Sequence, residues 1–173
     1  MPKEIYWLDG AWTGKLGVAP RPRGGDWLKD DISNWKRAHI DTVLSLLTPD
    51  EERDLDLRDE AVVVRAQGMN FASFPIPDRQ IPTSETKWSE ALEKVSRDLS
   101  AGKTVLVHCR QGIGRSSLLS AALLTFMGED LDRALQSIGK ARGLEVPETV
   151  EQRRWLDQFA KTHESQSLAR RSR

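Results

Sequence analysis

The ten residues His108-Cys109-Arg110-Gln111-Gly112-Ile113-Gly114-Arg115-Ser116-Ser117 hold the chain's only cysteine, set between an apolar run suited to a buried strand and a segment suited to a helix N-terminus. A thiol attacks as its thiolate, and a helix N-terminus with cationic neighbours favours that form. Between Cys109 and Arg115 lie five residues, two of them glycine. They let the backbone curl until successive N–H groups point inward as an anion nest. The helix beginning near Arg115 adds its N-terminal partial charge, which favours a bound dianion and a thiolate alike. Arg115 can hold two phosphate oxygens with its planar fork, more strongly as charge spreads in a transition state, and lysine lacks that geometry. Attack by Cys109 on phosphorus would form a phosphocysteine and split one displacement into two easier ones. Ser116 is placed to hydrogen-bond the sulfur as it leaves.

The hydrophobic pattern outlines the elements that must position this loop. Thr104-Val105-Leu106-Val107 shows no polar alternation, as expected of a central parallel strand covered on both faces, over residues 103–108. Residues 5–8 and 15–18 read as short strands around the turn-prone Asp9-Gly10 and Thr13-Gly14, and residues 42–47 as a buried strand. Residues 70–74 read as a strand running into a proline-rich loop over 75–82. Asp26 is expected to cap a helix with Leu28, Ile32 and Trp35 on its inner face. Thr48 should cap a short helix with Pro49 at its first position, and residues 59–67 should form another helix ending at Gly68. Thr83 or Ser84 opens a long amphipathic helix with Trp88, Leu92, Val95 and Leu99 on one face, stopped by Gly102. Helices over 116–127, 130–142 and 150–161 follow. Alternating strands and helices predict a three-layer α/β/α domain with a central, mostly parallel sheet of about four or five strands. Ligands of such sheets bind beyond the carboxyl ends of the strands. The segments after His108 and Phe74 both leave the sheet there, so they can face each other.

At 173 residues the chain is long enough for one domain with a sizeable core, expected over residues 1–163, with 164–173 as a flexible basic tail. Lys plus Arg and Asp plus Glu both number 26, so no bulk field draws the protein to nucleic acid or to a membrane. A single cysteine excludes an internal disulfide, and the start MPKEIYWLDG has no apolar signal region, so the cytoplasm is the expected location. No apolar stretch is long enough to span a bilayer. The chemistry calls for no cofactor and no metal, and a monomer is expected.

On these motifs the chain resembles the cysteine-dependent protein tyrosine and dual-specificity phosphatases, whose signature is His-Cys, five residues, Arg, then Ser or Thr. His108, Cys109, Arg115 and Ser116 match every position. It is most similar to the compact dual-specificity branch, which includes small bacterial tyrosine-phosphatase-like proteins and cyclin-kinase-associated phosphatases. The supporting segments are Ser45-Leu46-Leu47-Thr48-Pro49-Asp50-Glu51, Phe74-Pro75-Ile76-Pro77-Asp78-Arg79 and Val146-Pro147-Glu148-Thr149-Val150-Glu151-Gln152-Arg153-Arg154, within a resemblance covering residues 24–159.

The resemblance implies a phosphotyrosine phosphatase-like fold and a general acid on a separate loop upstream of the cysteine, where Asp78 is the match. A carboxylic acid within reach of the leaving oxygen accelerates ester cleavage by a factor of roughly 10²–10⁴, and its carboxylate can then activate water. Pro75, Pro77 and Pro82 restrict the loop around it. Asp26, Asp41, Asp50 and Asp98 fall in helix starts, flanks or solvated faces and are poorer candidates. The backbone of Arg110, Gln111, Gly112, Ile113, Gly114 and Arg115 is expected to bind the phosphate, with the Arg110 and Gln111 side chains at the rim. His108 is expected to be a buried support bonding backbone around the loop. Gln152 has two readings, as the glutamine that places the hydrolytic water in some relatives or as half of a capping box with Thr149. The six tryptophans are expected mostly in the core, and Arg21, Arg23 and Arg79 either border the cleft or are solvated.

The expected function is hydrolysis of phosphomonoesters on proteins, phosphotyrosine and also phosphoserine or phosphothreonine, through a phosphocysteine. The alternatives are a phosphoinositide or nucleotide phosphatase on the same scaffold and a phosphate-binding pseudophosphatase adaptor. Arsenate reduction and sulfur transfer are minor options, since the first needs a resolving thiol and the second has no use for Asp78.

Overall fold

A computed structural model describes residues 4–172. Its strands are β1 (Tyr6–Leu8), β2 (Lys15–Pro20), β3 (Thr42–Ser45), β4 (Asn70–Ser73) and β5 (Thr104–Cys109). The helices are α1 (Leu28–Arg37), α2 (Pro49–Asp54), α3 (Glu60–Ala66), α4 (Glu85–Ser100), α5 (Gly114–Phe126), α6 (Leu131–Arg142) and α7 (Val150–Arg171). One five-stranded sheet has the order β1-β2-β5-β3-β4. β5 pairs in parallel with β2 and β3, β3 in parallel with β4, and β1 is antiparallel to β2. The mostly parallel α/β/α sheet expected from the sequence is the one found.

Side chains alternate across a strand, so β5 feeds two separate cores. Val105, Val107 and Cys109 pack in one with Trp88, Leu92, Val95 and Leu99 of α4 and the apolar residues of α5. Leu106 packs in the other with Leu28, Ile32 and Trp35 of α1 and Val64 of α3. The stripes read from the sequence for α1 and α4 are therefore the buried faces. β5 is central, and Cys109 sits at its carboxyl end.

Several helix starts follow the expected chemistry. Thr48 accepts from the Glu51 N–H while the Glu51 side chain reaches back, a full capping box. Ser84, rather than Thr83, caps α4, and Gly102, at φ 82°, follows its end. Asp26 does not cap α1. It lies inside a 3-10 turn over Gly25–Trp27 that leads into the helix, and Trp27 takes the cap position without a side-chain bond. The turn is organised by backbone instead: Gly25, at φ 59°, donates its N–H to the Asp56 carbonyl at 3.1 Å.

A second correction concerns the tail. α7 runs on through Arg171, so the segment expected to fray from residue 164 continues the helix, while Arg173 lies outside the described residues. The stretch has no glycine or proline and is rich in helix formers such as Leu168, Ala169 and Arg170. Its apolar stripe vanishes because the helix passes beyond the core, leaving Leu168 exposed. Tryptophans also divide: Trp35 and Trp88 are buried, whereas Trp7 and Trp27 are exposed. Among the described residues no helix is long and apolar enough to cross a membrane.

Candidate active site

From Cys109, itself buried, the chain passes through residues 110–113 into α5, which is buried through nearly its whole length. Gly112 has φ 68°, and a Cβ there would lie within 2.7 Å of the Ala19 carbonyl and the Pro20 nitrogen. Both conformation and space therefore demand glycine. Two contacts fix the outside of the loop: the Arg21 N–H donates to the Arg110 carbonyl at 3.3 Å, and Arg142 Nε donates to the Gly112 carbonyl at 2.8 Å. The Arg142 guanidinium in turn lies 3.6 Å from the Tyr6 ring centroid. No side chain caps α5 and its first turn carries no acid. Its N-terminal N–H groups are thus available to an anion. The Arg110 and Gln111 side chains are exposed at the rim.

Arg115 is 1% exposed and bonded on one edge of its fork. Nη1 donates to Glu51 Oε2 at 2.6 Å and to the Ile76 carbonyl at 2.9 Å, and Nη2 donates to Glu51 Oε1 at 2.8 Å. Nε is buried with no partner among the described residues. Burial acts to lower the Arg115 pKa, but the Glu51 hydrogen bond and the charges facing it from Cys109, Glu51 and Asp78 leave it raised. For Glu51, burial acts upward, yet the Arg115 and Thr48 hydrogen bonds hold its carboxyl below the usual range. The capping box that starts α2 therefore also aims the carboxylate at Arg115. The sequence brings Glu51 in only as the end of the Ser45–Glu51 segment, and nothing local marks it as the holder of Arg115.

His108 points to the opposite face of the sheet from Cys109. Its Nε2 lies 2.7 Å from Glu60 Oε1, its ring 5.7 Å from that of Trp35, and its Nδ1 3.4 Å from the Cys109 carbonyl. Backbone contact was expected, but the main anchor is a carboxylate buried in α3, which no local pattern had marked. Glu60 Oε2 and Ser116 Oγ are buried without a partner among the described residues. A buried hydroxyl of that kind is a donor still to be satisfied.

The segment after β4 does meet the cysteine loop. Ile76 is buried, donates its N–H to the Leu46 carbonyl at 3.1 Å and accepts from Arg115. A tight turn follows, closed by the Gln80 N–H to the Pro77 carbonyl at 3.1 Å, with Arg79 at φ 59°. On it Asp78 is 59% exposed, with Oδ1 3.3 Å from Arg115 Nη2. Gln152 is wholly buried behind the turn. Its Nε2 donates to the Gln80 carbonyl at 3.2 Å and its Oε1 accepts from the Glu148 N–H at 3.2 Å, so only the Thr149 half of the expected capping box forms.

The poorer carboxylates are engaged elsewhere. Asp41 accepts from the Thr104 N–H and Asp98 from the Thr42 hydroxyl, both at the amino end of the sheet, while Asp50 pairs with Arg53. Arg23 pairs with Asp31, and Arg79 pairs with Glu148 at 3.1 Å. The arrangement gathers a thiol at a helix N-terminus, a cation with an unused donor, and an exposed carboxyl against that cation. Such a set can bind a tetrahedral oxyanion, attack its centre and move a proton at its edge.

Comparison with known proteins points the same way. Residues 18–129 match a family model described as a polymorphic toxin system, DSP-PTPase phosphatase. Cyclin-dependent kinase inhibitor 3 of Rattus norvegicus is 26% identical over 134 residues, covering 76% of this chain and 63% of that one, so the chain spans less than two thirds of that relative. The Sus scrofa protein of the same name is 31% identical over 170 residues, covering 91% and 79%. Among solved structures, a kinase associated phosphatase with its catalytic-site cysteine replaced by serine superposes at TM-score 0.85 and 21% identity, covering 95% of this chain and 97% of that one. Tk-PTP in its active form gives 0.72 at 26% identity, covering 91% and 96%.

Proposed function

This chain belongs to the DSP-PTPase phosphatase family of polymorphic toxin systems, and from that membership we propose that it hydrolyses phosphomonoesters on proteins, phosphotyrosine and also phosphoserine or phosphothreonine, through a phosphocysteine. The observation that carries this reading is Arg115: Glu51 occupies its Nη1/Nη2 edge, while Nε, with no partner among the described residues, remains for a phosphate oxygen beside Cys109. In the first step the Cys109 sulfur attacks phosphorus, an S–P bond forms, the ester P–O bond breaks, and the Asp78 carboxylic acid gives its proton to the leaving oxygen. In the second, water attacks phosphorus, Asp78 takes a proton from it, and the S–P bond breaks to release phosphate, with the Ser116 hydroxyl donating to the departing sulfur. Residues 110–115 bind the three equatorial oxygens by backbone N–H groups, and His108 supports the loop from behind. Gln152 acts as a scaffold for the acid turn, because both polar atoms of its amide are already bonded there.

The catalytic unit is assigned to residues 1–163, acting as a monomer in a reducing, cytoplasmic setting that keeps the single thiol reduced. A protein substrate is favoured over a phosphoinositide or nucleotide because the cleft is short of cations for a second phosphate. Within the loop Arg110 is the one cation besides Arg115, and Arg79 is engaged by Glu148.

The test is hydrolysis of aryl phosphates by the wild type, Cys109→Ser and Asp78→Asn, with rapid-quench mass spectrometry for a phosphorylated Cys109 peptide. A panel of phosphopeptides, phosphoinositides and nucleotides follows. The expected result is a trapped phosphocysteine and turnover of phosphopeptides first. Full activity in Cys109→Ser would overturn the mechanism, and phosphate binding without turnover would make the protein an adaptor.

A further inference from the structure

The Asp78 turn is pinned upstream by Ile76, but its downstream half is held from the start of α7 alone among the contacts described. Glu148 pairs with Arg79 at 3.1 Å, and Gln152 Nε2 reaches the Gln80 carbonyl at 3.2 Å. Those two holders are tied to each other, since the Glu148 N–H donates to Gln152 Oε1 at 3.2 Å. We propose that Glu148 and Gln152 form a clasp, closing on Arg79 and Gln80, that sets the position of Asp78 for protonation of the leaving group. They are positioning residues, and the proposal rests on the phosphatase reading above.

Three observations argue for positioning rather than bulk stability. The first is the reference point. A Cβ on Gly114 would overlap the Glu148 carboxylate, and Gly114 lacks the positive φ that would otherwise call for glycine. The tip of the Glu148 side chain therefore lies directly against residue 114 of the phosphate loop and measures the acid turn from it. The second is Arg79 itself, which holds φ 59°, a conformation that suits glycine or asparagine better. In that turn the Arg79 side chain meets Glu148. The third is exposure: the pair's side chains are 62% and 29% accessible, and ion pairs so open add little to folding. A small shift of an acid relative to the leaving oxygen, in contrast, weighs heavily on rate.

The clasp also answers an electrostatic problem. Asp78 leans on Arg115, the same cation that a phosphate dianion would engage. When substrate takes Arg115, repulsion between the dianion and an ionised Asp78 would push the turn outward. A tether to α7 that does not involve Arg115 holds it in reach.

The experiment compares 4-nitrophenyl phosphate, whose leaving group needs no proton, with phenyl phosphate, whose leaving group does, for Arg79→Ala, Arg79→Gly, Glu148→Ala and Arg79→Ala/Glu148→Ala. Asp78→Asn is measured alongside. The loss in kcat/KM, which reports the steps through P–O cleavage, is expected to be larger on phenyl phosphate than on 4-nitrophenyl phosphate by roughly tenfold or more in every clasp variant. The double variant should be no worse than either single within about twofold, because one interaction is removed in all three. The alkaline limb of the kcat/KM profile on phenyl phosphate, which reports the protonated acid, should weaken in parallel with Asp78→Asn. The charge exchange Arg79→Glu/Glu148→Arg should recover part of the difference. Equal losses on both substrates, or an Arg79→Gly enzyme with undiminished turnover of phenyl phosphate, overturns the clasp. If Asp78→Asn itself shows no dependence on leaving group, the acid assignment fails and the clasp with it. If Asp78→Asn shows that dependence and the clasp variants do not, only the clasp fails.

Discussion

The Cys109–Arg115 loop and the Asp78 turn meet at Arg115, yet they are built by opposite means. The loop is enclosed: Cys109 and Arg115 are buried, Gly112 has no room for a Cβ, Arg142 grips its outer carbonyl, and Glu60 steadies His108 from the far side of the sheet. The turn is open, with Asp78 59% exposed and its neighbour Arg79 held by an exposed pair. A group that must stabilise developing charge gains from fixed, dry surroundings, because its dipoles then need no reorganisation. A group that must hand a proton to varied leaving oxygens has to stay reachable. The contrast therefore separates a part of the site that is rigid by construction from one that is positioned by a few surface contacts.

The largest test of that contrast is Cys109→Ser, expected to lower kcat by about four orders of magnitude or more for every substrate while phosphate still binds. Single-turnover assays with phosphate-analogue binding would check it, and a substrate-dependent loss would break the comparison. Next is Asp78→Asn, with an expected fall of roughly 10²–10⁴ on phenyl phosphate and far less on 4-nitrophenyl phosphate. An equal fall on both would place Asp78 in the rigid half. Arg115→Lys should cost roughly 10²–10³ in kcat, since a point charge cannot replace the fork. Inhibition by vanadate, which mimics the five-coordinate state, should weaken with it.

The smallest effect should come from Glu51→Gln, which leaves the buried Arg115 charge without its carboxylate and is expected to destabilise the fold by about 2–3 kcal/mol. Its pH dependence has a defined sign. The Glu51 carboxyl is held lower in the folded protein than the ordinary glutamate pKa of 4.5, through the Arg115 and Thr48 bonds that outweigh its burial. Its stabilisation is therefore complete above about pH 4.5 and lost as pH falls through the lower folded value. The gap between wild type and Glu51→Gln in chemical denaturation should shrink on acidification, and a constant gap would mean that Glu51 does not titrate with folding.

The legible parts of this protein are those whose physics is local. The glycine-spaced loop, the Thr48 cap, the stripes of α1 and α4 and the unbroken apolar run of β5 each follow from neighbouring residues, and the α/β/α fold with its Cys109–Arg115 loop came from them. What stayed hidden is contact between distant segments. Glu51 and Arg115 are 64 residues apart, Glu60 and His108 are 48 apart, and Glu148 meets Arg79 across 69. Periodicity tells which side of a helix faces inward, but not which side chain it meets there. The Asp26 cap failed for a related reason: a backbone bond from Gly25 to Asp56 organised the start of α1, and no side chain was needed.

The period of two in β5 has one more effect. Cys109 and His108 share a peptide bond but inhabit separate compartments, one opening on the cleft and the other sealed in with Trp35 and Glu60. The strand acts as a partition with a single hinge pin through it. A small molecule that reacts with the thiol never meets the imidazole, so the sealed room is beyond the reach of any competitive inhibitor. Behind the wall, α1 and α3 bear on His108 through Trp35 and Glu60, one peptide bond from the thiol.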